Sequence, residues 1–546
     1  MRAVRADNTI RIYDAYQYRE SIREIEGRFY DADDKSWIIP LSAQNCHLLG
    51  ILGAQLDDEL KAVLKSQETA NFKASVEHPK PMVKATLYEH QQRAYNFALD
   101  TLVRSKGVAI LADMGTGKSL MTIAIVGRLV QLGNIKRLLV VCPKSIVGVW
   151  EEEFKKFADY RYALSVLEGT LSKKREVFGF MQGTALQVIV VNYESCWRLE
   201  WEISKWKPDA IVCDESSKIK NPGTAQSKAL HRLGKLTQYN VILTGTPVTN
   251  NPLDFFSQYK FLDEGVFGPS YFLFRNRYAI MGGFQNHQII GYRNLAELVE
   301  KVHSIAYRIK IEDAVDMPPY VDEVRSISLE PKAQSIYRMI EQDCYAQLAE
   351  DSEVTAKNVL TQLLRLAQCT GGYIRDDSTG IVQKVSGVKL EALDDIIDSC
   401  MDENKKVVVF ARFVPEIEAI EKLVKSKGLG YSLIYGSTKD RAEQVKQFQE
   451  DENVKVFIGQ LQTTSMGLTL TAASVAVFYS LDFSYSNYEQ SRARIYRIVQ
   501  KATCLYIHLV CKGTVDEKLM GALQKKGDIA KLMVDDWRSM LSGQSE

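Results

Sequence analysis

The chain has no excess charge, no paired-cysteine motif and no long apolar run. Lysine and arginine total 69 against 68 aspartates and glutamates over 546 residues, a net charge of +1. A bulk electrostatic pull on polyanions is therefore excluded. Any nucleic-acid binding must come from local patches, or from backbone amides and hydroxyls on phosphates. The nine cysteines are scattered and none lies in a CxxC pair, which argues against structural zinc and for a reduced, intracellular protein. No apolar run is long enough to span a bilayer, and the N-terminal MRAVRADNTIRIYD has no apolar stretch of the signal-peptide kind, so no membrane is expected as a partner. Internal repeats, low-complexity tracts and nuclease signatures are also missing. What is present is ordinary for a globular protein, 46% apolar and 25% charged. The length exceeds what one core can bury and predicts about three or four domains.

Residues 1–67 alternate short strands with helical patterns, and residues 68–84 (ETANFKASVEHPKPMVK), with two prolines and little periodicity, read as a linker. From residue 85 onward, apolar runs at 107–112, 136–142, 186–192, 209–213 and 239–243 alternate with helical segments. That alternation predicts a parallel sheet covered on both faces, and unbroken runs such as LLVVC and VIVVN suit buried parallel strands. Residues 263–385 lose the rhythm; KAQSIYRMIEQDCYAQLAE and KNVLTQLLRLAQ have helical spacing, so a mostly helical insertion is expected. A second series follows at 406–413, 431–436, 454–459, 475–480 and 504–510. The expected fold is α/β: a small α+β domain (1–67), a linker (68–84), a sheet domain (85–262), the helical insertion (263–385) and a second sheet domain (386–546), with SMLSGQSE frayed at the C-terminus. Two parallel-sheet domains can contact one nucleotide from both sides, so that binding, hydrolysis and release open and close the cleft.

The stretch 107–119, GVAILADMGTGKS, carries the clearest chemistry. An apolar strand feeds a loop, Met114-Gly115-Thr116-Gly117, and a helix begins at once. The unpaired amides and positive dipole end of such a helix favour phosphates. Lys118 would reach the β- and γ-phosphates of ATP, and the Ser119 hydroxyl would sit on Mg²⁺. The full phosphate-loop pattern has glycine where this chain has Ala112, a small residue that keeps the tight turn. Asp214-Glu215 end the apolar strand DAIVC. A carboxylate pair at that edge suits a Mg²⁺ partner (Asp214, mainly through the metal's water shell) and a group that orients or deprotonates the attacking water (Glu215). LTGTP, Leu243 to Pro247, follows another apolar strand, and its hydroxyls could link the phosphate side to the partner domain. In QSRARIYRIVQ, Arg494 and Arg497 are three apart and share a helical face. From the second domain they could reach the γ-phosphate across the cleft, stabilising charge only when it is closed. Taken singly, the carboxylate pair also reads as an acidic helix start, and the arginine segment as a basic solvated helix.

The order and spacing of ADMGTGKS, LLVVCPKSIVGVWEEEF, VVNYES, DESSKIKN, LTGTPVTNNPLDFFSQYKFL, VVVFARF, SMGLTLTAAS and QSRARIYRIVQ resemble the helicase motif set of superfamily-two proteins. More narrowly, the set is similar to that of the Swi/Snf-like family of double-stranded DNA translocases, from about Leu87 to Lys526. The resemblance implies two RecA-like domains and an ATPase that walks on duplex DNA without routine unwinding. LYEHQ is similar to the family's adenine-reading segment and would put Gln91 on the base. Residues 467–471, beginning at Gly467, would join a loop coupling DNA to nucleotide. Lys144, Ser145, Lys220, Asn221 and Thr464 would meet the phosphate backbone, which carries no sequence readout. Four positions depart from the family pattern. Ser217 replaces a histidine that normally helps couple hydrolysis to DNA, Ser465 a glycine, Thr469 an asparagine and Ala493 an aspartate. They leave the phosphate chemistry intact and predict looser or rerouted coupling.

Gly27-Arg28-Phe29-Tyr30-Asp31 and Lys35-Ser36-Trp37-Ile38-Ile39-Pro40 are similar to the HARP-type module of annealing helicases. The likeness implies a small domain that helps recognise forked or branched DNA, with Arg28 and Lys35 on phosphates and Tyr30 and Trp37 as packing aromatics. The expectation is a monomeric, DNA-stimulated ATPase acting on duplex or forked DNA in replication, recombination or repair. Two other classes stay open: a DNA-binding factor switched by ATP, and the motor subunit of a restriction or defence complex.

Overall fold

The computed structural model describes residues 2–15, 22, 27–32, 34–41, 45–46, 49, 54–57 and 59–60 of the N-terminal segment, and 78–180, 183, 185–283, 288–314, 317–350, 356–375, 380–436, 438–464 and 468–534 beyond it. The N-terminal segment forms a five-stranded sheet from β1 (Arg2–Ala6), β2 (Thr9–Tyr13), β3 (Phe29–Asp31), β4 (Ser36–Pro40) and β5 (Gln55–Leu56), in the order β3-β4-β2-β1-β5. One face is apolar: Ala3, Ile10, Ile12 and Ile39 are buried with Cys46 and Leu49. Trp37 packs against that cluster, and its ring lies 5.0 Å from that of Tyr30.

The first lobe is built on β6 (Gly107–Ala112), β7 (Arg137–Cys142), β8 (Tyr162–Val166), β9 (Leu186–Asn192), β10 (Ala210–Asp214) and β11 (Tyr239–Thr244). Beyond them come a hairpin, β12 (Ala279–Gly282) with β13 (Gln288–Tyr292), and two strands, β14 (Ala306–Ile309) and β15 (Tyr320–Ile327). A second small hairpin pairs β16 (Tyr373–Arg375) with β17 (Val382–Lys384). The second lobe is built on β18 (Val407–Ala411), β19 (Gly430–Ile434), β20 (Val454–Gln460), β21 (Val475–Phe478) and β22 (Cys504–Cys511).

The first sheet runs β14-β6-β11-β10-β7-β9-β8 and the second β15-β22-β21-β18-β20-β19. Every pairing in both is parallel. Each sheet has a separate apolar cluster on either face, which is why its central strands are uniformly hydrophobic. The fold is thus two RecA-like α/β lobes with a small sheet domain ahead of them.

The described part of the 263–385 segment is mostly helical, as expected, with Pro331–Glu350 and Ala356–Thr370 its longest helices, but strands run through it as well. Six strands lie among its described residues, and two of them complete the sheets: β14 lies against β6 and β15 against β22. Both are edge strands. Tyr320–Ile327 is largely exposed and so lacks the apolar run of a central strand. β8, also an edge strand, has no fully buried residue and escapes the same pattern. The C-terminal SMLSGQSE and most of the 68–84 linker lie outside the described residues.

Candidate active site

In the first sheet β6, β11 and β10 are adjacent. The turns after their C-terminal ends therefore sit side by side, the position where parallel α/β sheets bind ligands. They carry ADMGTGKS, LTGTP and Asp214-Glu215.

The loop after β6 is held in shape before any phosphate arrives. Gly115 and Gly117 have φ of +86° and +88°, a conformation that favours glycine. The helix Lys118–Gln131 starts at Gly117 with no side-chain cap, so its first amides are available to an anion. Lys118 Nζ donates to the carbonyl oxygens of Ala112 (3.0 Å) and Asp113 (3.3 Å), folding its ammonium over the loop. Asp113 is in turn fixed from β14: Arg308 pairs with its carboxylate at 2.7 Å and the Ile311 N–H donates to it at 3.0 Å. These donors and turns fit a polyphosphate.

The structure gives Gln91 a different setting from base reading. Its amide oxygen accepts the Tyr88 N–H (3.1 Å) and its amide nitrogen donates to the Thr116 carbonyl (3.0 Å). The side chain is buried and braces the loop; a Cβ at Gly117 would collide with its Nε2. His90 Nε2 lies 3.1 Å from the same Thr116 oxygen, and its ring stacks on Tyr88.

Asp214 is buried at the end of β10. Burial pushes its carboxyl above the usual carboxylate range; neighbouring Glu215 pushes the same way, while Lys118 and the Trp150 indole N–H oppose it. That N–H donates to Asp214 Oδ2 at 3.1 Å. The helix bearing Trp150, Val147–Phe157, also brings Glu153 up to the Ser119 hydroxyl; burial raises the Glu153 carboxyl, with Lys156 and that hydroxyl acting against the rise. Glu215 is buried and occupies the left-handed region at φ +54°, at the start of the tight turn Ser216–Ile219. No group of three or more His, Cys, Asp or Glu among the described residues could hold a metal. Ser119 and Asp214 are instead the kind of sparse donor set that binds Mg²⁺ together with nucleotide phosphates.

The second lobe meets this edge directly. Arg494 is buried; its Nη2 lies 3.1 Å from Met114 Sδ and its Nη1 donates to the Leu468 carbonyl (2.9 Å). Burial lowers its pKa, with Arg497 adding to the effect and Glu215 opposing it. Arg497 lays its stem over Gly115, where an added Cβ would be 3.7 Å from Arg497 Cγ, and donates to Thr469 Oγ1 at 2.6 Å. Burial lowers its pKa to about 10. Gln490 Nε2 approaches Glu215 Oε2 at 3.5 Å, and the hydroxyls of Thr246 and Ser486 are 3.4 Å apart. Between the lobes lies a cavity of about 430 Å³ lined by Met114, Glu215, Thr246, Arg308, Gln490 and Arg492 among others. Gln500 clamps the arginine segment by donating to the carbonyls of Thr471, Ala473 and Ile495.

The backbone-contact candidates scatter more widely. Lys144 and Ser145 are exposed on the turn after β7, and Asn221 is exposed near the Asp214-Glu215 turn. Lys220 is partly buried and donates to the Thr249 hydroxyl; burial lowers its pKa. Thr464 corrects its expectation: it is fully buried and its hydroxyl donates to the Gln460 carbonyl at 2.8 Å, so it offers nothing to a surface ligand. Arg28 and Lys35 are exposed on the N-terminal sheet domain. Gly467 and Ser465 lie outside the described residues.

Three residues went unread in the sequence. Trp150 and Glu153 sit within the quoted WEEEF, and their four-residue window on one helix was the available signal. Gln258 has no such signal: it accepts from Ser216 Oγ (2.7 Å) and donates to the Pro247 carbonyl (2.8 Å), tying the Asp214-Glu215 turn to the LTGTP turn.

Residues 90–371 match the SNF2-related domain family, and residues 388–499 match the helicase conserved C-terminal domain. A zebrafish (Danio rerio) DNA repair and recombination protein RAD54-like is 24% identical over 84% of this chain and 68% of its own length. The DNA repair and recombination protein RDH54 of Saccharomyces cerevisiae is 25% identical over 79% of this chain, which spans only 50% of that protein. Among solved structures, the Sulfolobus solfataricus SWI2/SNF2 ATPase core in complex with dsDNA aligns at 25% identity and a TM-score of 0.40, covering 86% of this chain and 97% of its own.

Proposed function

The chain belongs to the SNF2-related family and is an ATP-hydrolysing, helicase-like enzyme, and we propose that it is a DNA-stimulated translocase on duplex or forked DNA. It would move without routinely unwinding the strands, in replication, recombination or repair. One observation carries this reading: Arg494 and Arg497 of the second lobe lie on Met114 and Gly115 of the phosphate loop. An enzyme that merely held ATP in one lobe needs no such seam.

In this reading the amides of Met114, Gly115, Thr116 and Gly117 bind the phosphates, and Lys118 leaves the Ala112 and Asp113 carbonyls to meet the β- and γ-phosphates. Ser119 and Asp214 hold Mg²⁺, which neutralises phosphate charge when bound. Glu215 orients the attacking water, and the adjacent Gln490 brings the second lobe to it. Arg494 and Arg497 stabilise the charge that develops on the γ-phosphate, where fixed cations in a dry site act most strongly. Hydrolysis then releases the seam and lets one lobe shift against the other. Lys144, Ser145, Lys220 and Asn221 are proposed to touch the phosphate backbone, and Arg28 and Lys35 on the N-terminal domain to favour forks.

The test is ATP turnover with single-stranded, duplex and forked DNA at one fixed salt concentration, since phosphate-dominated binding depends steeply on salt. Duplex-dependent stimulation is expected. Turnover with duplex below about 0.1 s⁻¹, against the usual enzyme range, would instead leave ATP as a switch. Lys118→Ala should abolish hydrolysis and leave most DNA affinity; equal loss of both would contradict separate sites.

A further inference from the structure

The segment after β9 turns two indoles outward. It comprises a helical turn (Tyr193–Cys196), a tight turn (Trp197–Leu199) and the helix Glu200–Trp206. Tyr193, Cys196, Leu199, Ile203 and Trp206 enter the first-lobe core. On the solvent side, Trp201 and Lys205 are four apart on the helix Glu200–Trp206 and so share a face, and Trp197 opens the tight turn just ahead of it. Trp201 is 70% exposed and Trp197 39%. Trp206, at the end of the same helix, is buried, so the segment distinguishes the tryptophan it packs from the two it presents.

A cation accompanies each indole. The Arg198 guanidinium lies 5.2 Å from the Trp197 ring centre and the Lys205 ammonium 5.2 Å from that of Trp201. The acidic side chains of the segment are already engaged. Arg232 takes both carboxylate oxygens of Glu200, at 2.5 and 2.6 Å, Arg175 pairs with Glu202 at 2.6 Å, and Asn192 donates to Glu194 at 2.7 Å. Among the described residues neither Arg198 nor Lys205 forms an ion pair. Lys174 donates to Ser195 Oγ at 2.7 Å, and Lys144, Glu168 and Arg198 are all near enough to act on its charge. Lys174 thus brings a further cation to the region of the indoles, within electrostatic reach of Lys144 on the turn after β7.

We propose that Trp197 and Trp201 are a stacking platform for unpaired bases of a single-stranded DNA arm, with Lys174, Arg198 and Lys205 on its phosphates. Every base has a π face that an indole can cover without sequence readout; Arg198 and Lys205, which lie over the rings in the free protein, swing off the indole faces as bases stack and hold the backbone. A duplex cannot use the platform, because its base faces are already stacked on one another. The proposal rests on the function above only in taking the Lys144 turn as the place where the duplex runs; single-strand binding is tested apart from it.

The test uses the full chain and fluorescence anisotropy with labelled oligothymidylate and an abasic strand of equal length. Wild type is expected to bind oligothymidylate more tightly than the abasic strand. Trp197→Ala/Trp201→Ala should weaken oligothymidylate binding about tenfold and leave abasic binding unchanged, while Trp201→Phe alone keeps most of the affinity. Both indoles are outside the core, so the double variant should keep its circular dichroism and its ATPase with blunt duplex. Equal wild-type affinity for the two strands, or a double variant that binds oligothymidylate as wild type does, overturns the proposal. Absence of duplex-stimulated ATPase in wild type would overturn the translocase reading and leave the strand comparison decisive for the platform.

Discussion

The indole of Trp150 donates its Nε1–H to Oδ2 of Asp214, 64 residues away in sequence, at 3.1 Å. The other carboxylate oxygen accepts the Glu215 N–H at 3.0 Å. The carboxylate proposed to face Mg²⁺ is therefore aimed from both sides, by its own backbone and by the helix after β7. A buried acid held this way keeps its rotamer between turnovers.

Trp150→Phe keeps an aromatic ring near Phe154 but removes the donor together with part of the buried indole, so Tm is measured alongside the kinetics to separate lost packing from lost orientation. A hydrogen bond to a charged group contributes roughly 1.5–3 kcal/mol, so Asp214 should lose orientation. Turnover is expected to fall about tenfold, with a higher Mg²⁺ concentration at half-maximal rate and little change in duplex affinity. Steady-state ATPase across a Mg²⁺ titration checks this. A variant with wild-type turnover and Mg²⁺ dependence would make the hydrogen bond incidental.

Gln91→Ala separates loop bracing from base reading. With the amide gone, the Tyr88 N–H and the Thr116 carbonyl lose their shared partner. A braced loop predicts that ATP and GTP weaken alike, by about tenfold, because both present the same triphosphate. Loss of ATP binding alone, with GTP unchanged, would return Gln91 to the base. Competition binding with the two nucleotides gives the answer directly.

How much of this was legible follows from how local each feature is. The phosphate loop, Asp214-Glu215, LTGTP and the arginine pair are strand-to-turn or helix motifs of a few residues, and their apolar flanks declare the strands. β14 and β15 were not legible, because an edge strand needs apolar residues on one face at most. Gln258 and Trp150 act across 42 and 64 residues of sequence, a separation that no periodicity encodes. Thr464 was misplaced for a related reason: its motif position says which loop it joins, whereas its burial depends on how closely Gly459 lets β20 approach that turn.

Arg497→Ala should act on turnover more than on ATP affinity. The Arg497 stem lies over Gly115 and its guanidinium is held by the Thr469 hydroxyl. An arginine so placed reaches the γ-phosphate only with the lobes together, so its contribution belongs to the transition state. A fall in kcat of about a hundredfold or more, with KM changed little, is expected from the behaviour of arginine fingers. A large rise in the ATP dissociation constant at unchanged turnover would assign it to ground-state binding.

Glu416 gives stability its own pH dependence, away from the site. It is buried just past the C-terminal ends of β18 and β21, where Oε2 accepts from the Arg412 N–H (3.2 Å), the Phe413 N–H (3.1 Å) and the Ser480 hydroxyl (2.6 Å). Oε1 has no partner, and a Cβ at Gly371 would collide with it. Burial raises the carboxyl from 4.5 to about 7, with Ser480, the two amides and Lys389 opposing the rise. The folded state therefore binds a proton that the unfolded chain releases. Its stabilising effect is complete below the unfolded value and declines as pH rises through the folded one, by at most about 3 kcal/mol. Glu416→Gln cannot titrate. Relative to wild type it should gain stability as pH rises from about 5 to 8, seen as a growing difference in Tm. A difference that stays constant over that range would mean that Glu416 carries its charge in the folded protein throughout.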